Sequence, residues 1–192
     1  MTDPAVFVLT VLFILGTPGP TNTLLATGGA SMGVRRSLPL MVGEACGYSI
    51  SILTIGLVLA PVISGVPWAA LALRLVVGAY LVLLAVQLWQ RGASFTQGAR
   101  TVTPAQVFVT TLLNPKAIVF ALGVVPFGAA NWPAYFAGFL AMLATVAFAW
   151  IALGAALGQA AAATGRARLV PRVGAAAVMG FAAFLLVGPL VH

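Results

Sequence analysis

Six apolar stretches follow one another along this chain, at residues 4–28, 38–60, 67–90, 105–126, 132–158 and 170–191. Each is near or above the roughly 20 residues that a helix needs to cross the hydrocarbon of a bilayer. With no water at that depth to pair exposed amides and carbonyls, such runs are expected to satisfy their backbones as helices. Composition agrees, since 62% of the 192 residues are hydrophobic and 6% charged, against about 25% charged in soluble domains. The expectation is an all-α integral membrane protein: six transmembrane helices forming one domain over 1–192, with no water-soluble part.

The basic residues punctuate these stretches. Seven of the nine lie in three loops: Arg35 and Arg36, then Arg91 and Arg100, then Arg166, Arg168 and Arg172. The loops around 61–67 and 127–132 hold none, so the positive-inside bias puts the three basic loops in the cytoplasm and both chain ends outside. Trp68 and Trp132 begin spans and Trp89 ends one, as interfacial anchors do. The net charge of +7 would invite nucleic acid, but the charges are scattered singly and form no clustered basic face, so no nucleic-acid partner is expected. The start, Met1-Thr2-Asp3-Pro4, lacks the basic region of a signal peptide and leads into a run too long for one, which reads as a retained first helix.

Proline is costly inside such helices because it removes a backbone hydrogen bond and clashes with the preceding turn. The first span nevertheless contains Thr17-Pro18-Gly19-Pro20-Thr21-Asn22-Thr23, and the fourth contains Leu113-Asn114-Pro115-Lys116-Ala117. Two interrupted helices at matching positions of two halves point to a transporter built from repeats, with its site where the breaks meet. Three spans per half make the repeats inverted, in agreement with the loop charges. The plainer alternative is a pair of kinks satisfied by their neighbours. Gly43-x-x-x-Gly47 and Gly154-x-x-x-Gly158 read as close helix packing, and the second stripe also permits a homo-oligomer.

Ionisable residues within the spans are few and expensive. Glu44 is the only carboxylate besides Asp3, and it falls roughly 9 Å into the second span from residue 38. Tyr48 follows one turn later on the same face. Lys116, the only lysine, falls roughly 17 Å into the fourth span. Opposite charges in a low-dielectric interior are expected to pair, and either is able to change protonation state during a transport cycle. The alternative has Glu44 capping groups near the interface while Lys116 snorkels or braces the Asn114-Pro115 break. Arg74 lies near an outer end and reads as an anchor.

Catalysis has little to work with. The sole histidine is His192 and the sole cysteine Cys46, so neither a nucleophilic dyad nor a metal site with three or four ligands can assemble. There is no Walker A or dinucleotide glycine motif. The reading is therefore a non-enzyme without cofactor or metal. A small channel or a scaffold subunit is the alternative to a transporter, although no ring of like charge or filter motif is present.

Pro18-Gly19-Pro20 with Asn22, Gly78-Ala79-Tyr80-Leu81 before Trp89, and Leu113-Asn114-Pro115-Lys116-Ala117-Ile118 followed by Pro126 resemble the lysine exporter (LysE/RhtB) family of amino-acid exporters over essentially the whole chain. The resemblance implies a bacterial inner-membrane secondary transporter that exports amino acids or close derivatives, driven by the proton gradient. It also implies that Pro18, Gly19, Pro20, Asn22, Asn114, Pro115 and Lys116 lie at or beside the substrate path. Two positions depart from the family pattern: Tyr48 stands where an acidic residue is frequent, with Glu44 one turn earlier, and Pro126-Phe127-Gly128 replaces Pro-Gln-Phe.

On this reading the two breaks face each other near the midplane. Half-helix N-termini and Lys116 would meet a substrate carboxylate, while freed carbonyls, Asn22, Asn114 and Glu44 would suit its ammonium group. Little is left to read a charged side chain, which favours a small neutral or weakly polar amino acid. Glu44 is the first candidate for the coupling proton, with Tyr48 and Lys116 beside it.

Overall fold

The computed structural model describes residues 3–59 and 102–163. These form helices α1 (Pro4–Gly16), α2 (Pro20–Met32), α3 (Val34–Leu53), α4 (Pro104–Leu112), α5 (Pro115–Val119) and α6 (Trp132–Ala163), and no strand is found among the described residues. The expected spans at 67–90 and 170–191, with Trp68, Trp89, Arg74 and two of the basic loops, lie outside the described residues. Among the described residues, two helices, Val34–Val58 and Trp132–Ala160, are long and apolar enough to cross a membrane. The count rises to four if each of two bent pairs is one span: α1 with α2, bent by 61°, and α4 with Pro115–Val124, bent by 49°.

Local chemistry sets these boundaries. The Asp3 carboxylate caps α1 by accepting from the amides of Ala5 and Val6, and the Thr103 hydroxyl caps α4 by accepting from the amide of Gln106. Proline opens α1, α2, α4 and α5, at the first-turn position where its missing N–H would have had no helical partner. The turn between α2 and α3 is shorter than the gap between the expected spans, which end at 28 and begin at 38. It narrows to Gly33, whose φ of 78° suits a residue without Cβ, and Ser37 closes it by donating to the Gly33 carbonyl.

That shift moves Glu44. With α3 starting at Val34, Glu44 stands ten residues along, about 15 Å by the helical rise rather than the roughly 9 Å expected from a span beginning at 38. Two further departures are not expected from the sequence: α3 continues into a π-helical turn at Thr54–Leu59, which contains Gly56, and α5 into another at Phe120–Val124, which contains Gly123.

Small residues bring the helices together. A Cβ on Gly43 or Gly47 of α3 would run into the backbone of α4 at Pro104 or Phe108, and one on Gly154 or Gly158 of α6 would run into α2 at Ala26 or Ala30. Both glycine pairs therefore serve packing. The second stripe is consumed inside the chain, so it offers no face for a homo-oligomer.

Buried apolar residues fall into two clusters. One holds Phe7, Val11 and Leu15 of α1, Ile52 and Ile55, Phe120 and Val124, and Phe139 and Leu143 of α6. The other holds Leu24 and Leu25 of α2, Leu40 of α3, Val107 of α4, and Ala147 and Ile151 of α6. Between them along the chain lie the buried polar residues Thr21, Asn22, Glu44, Thr110, Thr111, Asn114 and Lys116. The first bent pair runs from the first cluster to the second, whereas α3 and the second bent pair both run from the second to the first.

Candidate functional site

The polar layer is assembled from the two helix breaks and the middle of α3. At the first break α1 ends with Thr17, whose hydroxyl donates back to the Phe13 carbonyl at 2.8 Å, and the chain runs extended through Gly19 into α2. Pro18 and Pro20 leave carbonyls of the last turn without their usual donors. Asn22 repairs this by turning its amide back across the break, donating to the Leu15 carbonyl at 2.7 Å and to the Thr17 carbonyl at 3.0 Å.

At the second break Asn114 performs the corresponding task in a different way. Its Oδ1 accepts from the Lys116 amide at 3.0 Å, which caps α5. Its Nδ2 donates to the Thr21 hydroxyl at 3.0 Å and to the Tyr48 hydroxyl at 3.3 Å. The Thr21 and Thr111 hydroxyls lie 3.2 Å apart. One side chain thus ties α2, α3 and α5 together.

Lys116 crosses from the second break to the first. Its ammonium donates to the Thr17 carbonyl at 2.5 Å, and the residue is 7% exposed. Gly19 makes room for it, because a Cβ there would stand 3.3 Å from both Cε and Nζ of Lys116.

Glu44 is 2% exposed, and its Oε2 is buried with no hydrogen-bond partner among the described residues. It interacts electrostatically with Lys116 and Tyr48. The ion pair expected from the sequence is not closed, because the ammonium is engaged at Thr17 instead. The Tyr48 ring is held edge-on by Phe120 and Phe139, each with centroids 5.9 Å away.

The structure therefore gathers Gly19, Asn22, Asn114 and Lys116 around the two breaks, with Pro18, Pro20 and Pro115 creating them and Glu44 and Tyr48 contributed by α3. The carbonyls expected to receive a substrate ammonium are already taken, by Asn22 and Lys116. Thr21 and Thr111 were not singled out from the sequence. Their signal was a hydroxyl beside each proline break within an otherwise apolar run. No group of three or more His, Cys, Asp or Glu able to hold a metal occurs among the described residues. A separate open apolar groove of about 480 Å³, lined by Phe7, Tyr135 and Met142, lies away from this polar layer.

Comparison with known proteins gives a family model, LysE type translocator, that matches residues 12–188. A protein of Vibrio cholerae serotype O1 described as an uncharacterized membrane protein is 26% identical over 126 residues, covering 62% of this chain and 62% of that relative. The match thus spans less than two thirds of either protein. No solved structure matches the chain.

Proposed function

The chain belongs to the LysE type translocator family, and on that premise we propose that this multi-pass membrane protein is a secondary active transporter. It exports amino acids or close derivatives across the bacterial inner membrane by proton antiport. Residues 1–192 form one transporter domain of six spans in two inverted three-helix halves, which alternate access to a site at the two breaks. The observation that carries this reading is that two bent spans of opposite direction meet at a shared buried polar layer. Broken helices meeting at mid-depth are the architecture that transporters use to expose and re-bury one site. The common direction of α3 and the second bent pair also supports the count, since a single crossing between the second and fourth spans would produce it.

Pro18, Gly19, Pro20, Asn22, Asn114, Pro115 and Lys116 line the substrate path in this proposal, and Glu44, Tyr48 and Lys116 are the candidates for proton coupling. A substrate carboxylate would be met by the positive end of α2 and by Lys116, released from Thr17 as the site opens. With the basic loops in the cytoplasm, both chain ends lie in the periplasm. Small neutral amino acids fit better than dibasic ones, because only one carboxylate faces the layer.

Counterflow in proteoliposomes tests the reading. Purified wild type, preloaded with an amino-acid mixture, is expected to accumulate one class of labelled amino acid, and Lys116→Met to lose this. A leak of ions without amino-acid exchange would overturn it in favour of a channel, and no movement of any amino acid would overturn the substrate class.

A further inference from the structure

We propose that the proton and the ammonium group of the transported molecule compete for one atom, Oε2 of Glu44, and that this competition couples the two fluxes. The inference rests on the antiport reading above and deepens it. Oε2 is buried and has no hydrogen-bond partner among the described residues, a state that costs free energy until a donor is supplied. The neighbours do not supply one. Asn114 spends Nδ2 on Thr21 and Tyr48, and the Lys116 ammonium is bonded to Thr17.

No other carboxylate can share the task. The chain has two acidic residues, and the other, Asp3, caps the start of α1. Among the described residues, the titratable groups that interact with Glu44 are Tyr48 on its own helix and Lys116 from α5. Helices α2 and α4, which pack on α3, carry none, and α6 carries only Tyr135.

A proton and an ammonium satisfy the same need of a buried carboxylate, and the two do not occupy it together. With the site open to the cytoplasm, Glu44 releases its proton there and takes the ammonium group of the substrate. With the site open outward, an incoming proton forms the O–H bond on Oε2 and the ammonium leaves. Each cycle thus moves one proton in for one molecule out, and the proton gradient supplies the work.

The test measures amino-acid counterflow in proteoliposomes at matched internal and external pH, from pH 8 down to pH 5. In wild type the half-saturating concentration is expected to rise on acidification, approaching about tenfold per pH unit once Glu44 is protonated, with the maximal rate unchanged. The N-acetylated amino acids, which lack the ammonium group, are expected not to exchange. Adding the amino-acid mixture to wild type in weakly buffered detergent solution should release protons, and Glu44→Gln should release none. Half-saturation independent of pH would overturn the inference while leaving the export reading intact, and so would proton release that persists in Glu44→Gln. Failure of every amino acid to exchange would overturn both. Should Glu44→Gln fail to fold, the wild-type pH series alone decides.

Discussion

Lys116 and Thr17, 99 residues apart in the chain, are joined across the two helix breaks: the ammonium of one donates to the carbonyl that the other break has freed. The same carbonyl also accepts from Asn22 at 3.0 Å. Two donors on one acceptor mean that either can be withdrawn without leaving the oxygen bare. In the proposed alternating-access cycle, this bond would hold the two breaks together in one conformation and be released in another.

Replacing Lys116 separates stability from transport. In Lys116→Met the Thr17 carbonyl keeps Asn22, and a buried charge is removed, so the loss of stability is expected to be small, about 1 kcal/mol. Transport in the counterflow assay is expected to vanish. Lys116→Arg keeps the charge but needs more room than Gly19 leaves, with Nζ already 3.3 Å from where a Cβ would stand. It should fail to rescue. Melting temperatures in detergent, measured beside counterflow, check both expectations, and a Lys116→Arg variant with wild-type rate would count against this packing.

Asn22 behaves in the opposite way, because the Leu15 carbonyl has only its amide as a side-chain donor among the described residues. Asn22→Ala strips that oxygen and half of the Thr17 arrangement, and should cost about 1–3 kcal/mol. Asn22→Asp points acceptors at two carbonyls and should cost more. The order of melting temperatures, wild type above Ala above Asp, is the measurement.

The contrast between these residues shows what the sequence could and could not reveal. Both breaks were legible, because Pro18-Gly19-Pro20 and Asn114-Pro115 conflict with an uninterrupted helix wherever they occur. The burial of Glu44 and Lys116 followed from the cost of ionisable groups in lipid. Their partners were not legible. Whether the Lys116 ammonium meets Glu44 or a carbonyl depends on which carbonyls the first break frees and on the gap at Gly19, which is a matter of three-dimensional approach. The π-helical turns at Thr54–Leu59 and Phe120–Val124 each hold one glycine, Gly56 and Gly123, but a lone glycine in an apolar run does not distinguish a π turn from an ordinary helical one. Gly33 ended α2 without the polar run expected to form the loop, since one left-handed glycine suffices for the turn.

Glycines on the same helix should respond to substitution according to what their faces meet. A Cβ on Gly154 would strike the Ala26 backbone of α2, which cannot swing aside, whereas one on Gly138 would meet only Phe7 Cε1 at 4.0 Å. Gly154→Ala is expected to lose about 1–3 kcal/mol through overpacking. Gly138→Ala should be neutral or gain up to about 1 kcal/mol from helix propensity. Detergent melts distinguish the two. Because Gly154 packs within the chain, light scattering should find the same oligomeric state for both variants and wild type.

The orientation expected from charge can be tested by labelling. Arg35 and Arg36 begin α3, next to the Gly33 turn, and both are exposed; the turn before α6 carries no basic residue. On the proposed topology, the positive-inside bias predicts the Gly33 end in the cytoplasm and the Asn131 end outside. Cys46 is the only cysteine, so a Cys46→Ser background allows single reporters at exposed positions. Ser31→Cys, at the Gly33 end, is expected to react with a membrane-impermeant maleimide only after cells are permeabilised, and Asn131→Cys to react in spheroplasts that remain intact. The reverse pattern would invert the topology and, with it, the direction in which Glu44 must pass its proton.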